Sequence, residues 1–206
     1  MRVQNLLLAS VALGLLLSGG VHTANASLIT NGTFDTDLSG WATTGTTTGN
    51  TWVSGTAHIG RSGTPGVAIF EQTFDIPFGT DALAISFDYE WQINAPTLID
   101  TFLVELIYES TSGTVTETLL SEGSGSVVFE SPLAFSSNLP LTDLDNSLGN
   151  GTIRFTLTEN NSDVGTRIEL DNVLIQPVPE PTTFALLGIG AVGLLGYARR
   201  KRKQIA

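Results

Sequence analysis

No cysteine occurs anywhere in the 206 residues, which excludes disulfides, thiolate metal sites and a cysteine nucleophile. Histidine is nearly absent too. Only His22 and His58 occur, too few for a zinc centre built on several imidazoles. Basic residues are missing from the middle of the chain. Six of the nine lie at the extreme ends, leaving Arg61, Arg154 and Arg167 between residues 27 and 177 against nineteen acidic residues, a net charge of −16 for that segment. Such a surface repels phosphate backbones and anionic polymers, so nucleic acid is excluded as a partner, whereas calcium would be attracted. There is no Gly-x-Ser-x-Gly elbow, no Gly-rich phosphate loop and no His-Glu-x-x-His; with no sequence sign of an acid held protonated beside an ionised partner, the chain reads as non-enzymatic.

What the middle does contain is period-two alternation. Leu83, Ile85, Phe87, Tyr89 and Trp91 alternate with Ala84, Ser86, Asp88 and Glu90, the pattern of a half-buried strand. The same reading gives strands over Phe102–Tyr108, Ile153–Thr158 and Arg167–Ile175, with shorter ones over Thr51–Ile59, Val67–Ile76, Thr114–Leu120 and Ser126–Glu130. Gly, Pro, Asn and Ser clusters separate them, and no long amphipathic helix intervenes. About 150 residues of this kind predict one all-β domain, an antiparallel β-sandwich of jelly-roll type. Thr43–Thr51, almost wholly Thr and Gly, suits a surface loop or a flat edge strand, with the loop favoured because nothing in it asks for burial. Two carboxylate pairs share strand faces, Asp88 with Glu90 and Glu169 with Asp171, and read as a solvated outer surface.

The two ends have a different character. Arg2, the apolar stretch Leu6–Leu17 and the small-x-small site Ala24-Asn25-Ala26 form a cleavable signal peptide, residues 1–26, so signal peptidase would leave Ser27 as the first mature residue. At the other end, residues 182–198 contain no charged side chain and are followed by Arg199, Arg200, Lys201, Arg202 and Lys203. As a helix this run spans roughly 25 Å, and Tyr197 with the snorkelling arginines extends it towards the roughly 30 Å of a hydrocarbon core. It reads as a single transmembrane helix with the basic cluster in the cytoplasm and the sandwich outside. Val178, Pro179, Glu180 and Pro181 precede it. This order, a Pro-Glu-Pro motif, a short apolar helix and a terminal basic cluster over residues 178–206, resembles the PEP-CTERM sorting signal of bacterial envelope proteins. The resemblance implies processing near Pro179–Pro181 by a membrane-embedded exosortase, transient residence in the inner membrane, and a final place at the cell surface or outside the cell.

The domain between, residues 27–177, carries a second resemblance. Leu28-Ile29-Thr30-Asn31-Gly32-Thr33-Phe34-Asp35, with Gly40-Trp41 following, and Glu169–Ile175 are similar to the first and last strands of galactose-binding-like jelly rolls and carbohydrate-binding modules. That family often holds a structural calcium between those strands. Carried over, the metal ligands are Asp35, where the family usually has Glu, and Asp171, helped by carbonyls near Asn31 or Thr33. Calcium takes oxygen ligands only, which suits so acidic a domain. An exposed aromatic platform for sugar is expected at Trp91, at the end of its strand, or at Trp52, beside the Thr-rich loop. The chain is thus expected to be a cell-surface or matrix protein associated with exopolysaccharide, or, in the alternative, a calcium-stabilised carbohydrate-binding module.

Overall fold

The computed structural model describes residues 26–46, 49–60, 65–92, 99–127, 129–144, 149–160 and 165–178. Of the segments read from the sequence, residues 1–25, Pro179–Pro181, the apolar run 182–198 and the basic cluster 199–203 lie outside the described residues. Among the described residues no helix is long and apolar enough to cross a membrane.

Ten strands follow one another: β1 (Ala42–Gly45), β2 (Thr51–Val53), β3 (Thr56–Gly60), β4 (Gly66–Asp75), β5 (Ala82–Gln92), β6 (Thr101–Ser110), β7 (Gly113–Gly123), β8 (Leu133–Pro140), β9 (Asn150–Glu159) and β10 (Arg167–Pro177). They form two five-stranded sheets, ordered β1-β4-β9-β6-β7 and β2-β3-β10-β5-β8. Every pairing is antiparallel. The all-β sandwich expected from the alternation is the architecture observed.

The core is the inward half of each alternating strand. Along β5, Leu83, Ile85, Phe87, Tyr89 and Trp91 are buried while the residues between them are half-exposed. Phe87 of one sheet meets Phe155 of the other edge-on, with ring centroids 5.2 Å apart. Trp41 lies flat on Phe70 at 4.6 Å and donates its indole N–H to the Asn31 carbonyl at 3.1 Å. These contacts combine large buried apolar area with favoured ring geometry.

The differences from the sequence reading have local causes. Thr51–Ile59 is a hairpin rather than one strand, because Ser54 and Gly55 both take positive φ (50° and 92°), the two-residue turn whose twist matches the flanking strands. Ala42–Gly45 does form the flat edge strand, paired with Ala68–Glu71 of β4. The segment resembling an opening strand, Leu28–Asp35, is not one. Asn31 and Phe34 have φ of 51° and 47°, and the side chain of Gln72 takes both the amide and the carbonyl of Thr30. It nevertheless runs beside β10, through Leu28 N–H to Ile175 O and Val173 N–H to Gly32 O. The described residues of Ser126–Glu130 form no strand either. The Gly-Ser run turns the chain at Gly123–Ser126, Glu130 has φ of 52°, and the strand at this place is β8, whose alternation is masked in sequence by Ser137 at an inward position.

Candidate functional site

Alternation decides which side chains face out from the second sheet. Since Phe87, Tyr89, Trp91, Ile168 and Leu170 point into the core, Asp88 and Glu90 of β5 and Glu169 and Asp171 of β10 point outward. The register then sets Glu90 opposite Glu169 and Asp88 opposite Asp171. The two carboxylate pairs noted separately in the sequence are therefore one square of four. They wall a groove of about 260 Å³, with Thr56 on one side and Pro132 on the other.

Each carboxylate is held by neighbouring side chains or main chain. Arg167 Nη2 donates to Glu169 Oε1 at 2.6 Å, and His58 Nε2 lies 3.5 Å from the same oxygen, with the Thr56 hydroxyl 3.0 Å from that ring nitrogen. Gln92 Nε2 donates to Glu90 Oε1. Asn172 Nδ2 donates to Asp88 Oδ2 at 2.8 Å, and the Asn172 amide to Asp171 Oδ1 at 2.7 Å. One oxygen of each carboxylate thus meets a neighbouring donor. Asn172 can do both jobs because it sits in a β-bulge, at φ 52°, where the register between β10 and β5 slips; asparagine tolerates that conformation.

The charges act on one another. Burial pushes the Asp171 carboxyl above its ordinary value, and the nearby charges of Asp88 and Asp35 push it further, against the opposing hydrogen bond from the Asn172 amide. The pair expected to hold calcium, Asp35 and Asp171, is therefore brought into electrostatic reach. Its donor set is incomplete as it stands: Asp35 Oδ2 accepts from the Thr33 hydroxyl at 2.8 Å, the Asn31 carbonyl already accepts from Trp41, and no group of three or more His, Asp or Glu side chains able to hold a metal is found among the described residues.

The aromatic expectations need correction. Trp91 is fully buried and donates Nε1 to Glu122 Oε2 at 3.4 Å, beside the Tyr89 hydroxyl on Oε1 at 3.0 Å. Its place at the end of the strand did not open it, because β6 and β7 cover it, Phe102 packing edge-on at 6.1 Å. Burial, then the Glu122 hydrogen bond and charge, pushes the Tyr89 phenol upward. Trp52 is exposed, at 40 %, but pairs with Ala57 on the inward face of its strand and donates Nε1 to the Phe34 carbonyl at 2.6 Å. It closes the edge of the sandwich rather than lining the groove. What sequence reasoning missed was the cross-strand square itself; its only signal was the matching outward carboxylates on two strands.

The two-sheet antiparallel sandwich that carries this groove is a fold the domain shares with solved carbohydrate-binding modules. A solved structure described as "CBM4 structure and function" superposes with a TM-score of 0.51 at 18% identity, over 73% of this chain and 99% of that one. A CBM61 module in complex with β-1,4-galactotriose superposes with a TM-score of 0.51 at 10% identity, over 74% and 99%. Both likenesses establish the fold. Residues 177–203 match the PEP-CTERM protein-sorting motif, so the chain carries a signal for exosortase-dependent export. No curated protein sequence matches the chain.

Proposed function

We propose that residues 27–177 are a non-catalytic glycan-binding domain, delivered to the cell surface when an exosortase processes the tail near Pro179–Pro181, and associated there with the extracellular polysaccharide of a biofilm matrix. Residues 182–198 hold the protein in the inner membrane until that step. The observation that carries the reading is the square of four outward carboxylates walling a groove on a sandwich of this fold, since charge-assisted acceptors suit sugar hydroxyl groups. Four carboxylates and a net charge of −16 turn away uronic-acid polymers, so the ligand is a neutral or amino-sugar polysaccharide. A structural calcium at Asp35 and Asp171 would relieve the charge that, after burial, raises the Asp171 carboxyl, and its ligand set would be filled by main-chain oxygens.

The test is affinity electrophoresis of the purified domain in gels holding neutral, amino-sugar or uronate polysaccharide. Neutral or amino-sugar gels should retard the domain, and the double variant Glu90→Gln, Glu169→Gln should move freely. No retardation by any extracted matrix polysaccharide would count against binding. Turnover of the glycan, abolished by one carboxylate substitution, would replace the module with an enzyme. For sorting, intact mass from hosts with and without an exosortase should differ by the tail beyond residues 179–181; a tail kept in both would mean a permanent anchor.

A further inference from the structure

The end of the sandwich from which the sorting tail leaves carries an almost wholly exposed aromatic residue. Phe78 is 86% exposed at the tip of the turn between β4 and β5, where the Thr80 amide (3.2 Å) and hydroxyl (2.7 Å) both donate to the Pro77 carbonyl. Gly79, at φ 79°, supplies the positive dihedral the turn needs, and Thr80 is buried. The ring is thus held outward by a braced turn. An isolated exposed apolar residue is ordinary; its position here is not.

Tail and turn are tied together at one point. The Val178 amide donates to the Ala82 carbonyl at 2.9 Å, immediately after β10 finishes its pairing of Pro177 with Leu83. Phe78 precedes Ala82 by four residues, and the uncharged run begins four residues after Val178. Four extended residues reach at most ~14 Å, so the Phe78 backbone and the first residue of the run both lie within that distance of one hydrogen bond. A membrane helix over residues 182–198 would bring this face of the domain down onto the bilayer.

We propose that the Pro77–Thr80 turn is a membrane-contact element, with Phe78 seated in the interfacial zone of the lipid while the tail is still attached. The inference rests on reading residues 182–198 as a membrane helix. An aromatic ring gains by entering the headgroup region. The contact fixes how the folded domain stands over Pro179–Pro181, keeping the processing site at the depth of a membrane-embedded enzyme. Asp75 and Asp81 flank the turn, so a zwitterionic surface suits it better than an anionic one.

Because the chain has no cysteine, one introduced thiol reports one position. The chain from Ser27 to Ala206, made in a host without exosortase, is reconstituted into phosphatidylcholine vesicles as Phe78→Cys or Ser126→Cys, each carrying an environment-sensitive dye. Ser126 is exposed in the turn after β7, whose last residue Gly123 pairs with Thr101 at the far end of the sheet. The dye at 78 should emit further to the blue than at 126 and be quenched several-fold more by doxyl-labelled lipid. Equal emission and quenching at the two positions in protein that survives a carbonate wash overturns the membrane contact and leaves the tail reading standing. Protein released by carbonate overturns the membrane-helix reading itself. A blue shift at 78 that needs added exosortase overturns lipid contact in favour of contact with the enzyme.

Discussion

Asp171→Asn should stabilise this domain at neutral pH, which is unusual for a residue at a candidate site. Asp171 faces Asp88 directly across the β5–β10 ladder and is raised in pKa by burial first, then by Asp88 and Asp35. An acid raised by folding contributes stability that is fully present below its ordinary value of 3.8 and is lost as pH climbs through the folded value. Above that folded value the wild-type protein carries the repulsion. Asparagine keeps the oxygen that accepts from the Asn172 amide and removes the charge. A like-charged cross-strand pair costs roughly 0.2–1 kcal/mol, and solvent screening at this partly exposed side chain puts the gain near the middle of that range or below. For a domain of this size that is about 1–2 °C in Tm. The assay is thermal unfolding of both proteins in chelator, at steps from pH 7 to pH 3. The gain should shrink towards zero as the wild-type carboxyl protonates. A variant less stable than wild type at pH 7, or a gain that persists unchanged at pH 3, refutes the electrostatic account.

Three further outcomes follow from the same structure. Adding calcium to chelator-treated wild type should raise its Tm while leaving Asp171→Asn where it was; no rise in wild type removes the metal from Asp35 and Asp171. Glu122→Ala strips the partner from the Tyr89 hydroxyl and the Trp91 indole N–H and should cost about 1–3 kcal/mol in urea unfolding, with Glu122→Gln milder. A Cβ at Gly32 would come 2.1 Å from the Val173 carbonyl oxygen, so Gly32→Ala should push the N-terminal segment off β10, exposing residues 28–33 to early hydrogen exchange; unchanged protection there would contradict the packing.

The sheet strands were readable because a jelly roll buries one side of each long strand, and period-two alternation records that directly. Ser137 broke the record in β8, and Gln72 carried none of it, since a buried amide that holds Thr30 looks like a surface residue in a sequence. Trp91 shows the opposite failure. Position at a strand end suggested exposure, but burial depends on which other strands close over it, and the crossing of β6 and β7 is not a local property. The acidic groove was half legible. Each pair of carboxylates could be placed on an outward face, while the register that sets Glu90 against Glu169 is a relation between segments nearly eighty residues apart, fixed by packing rather than by either strand's own composition.

β10 lies in the interior of its sheet, flanked by β3 and β5, and its own residues include two of the four groove carboxylates and the exit to the tail. Any pull between a polymer held at Glu169 and Asp171 and an attachment made near Val178 runs lengthwise along that strand. The ladder to β5 spans Arg167 to Pro177, and a tug along its axis loads those hydrogen bonds in shear, so they must slip together instead of opening one at a time as at a peeled edge. A cell-surface domain built this way would hold its grip under flow with the strength of a whole strand.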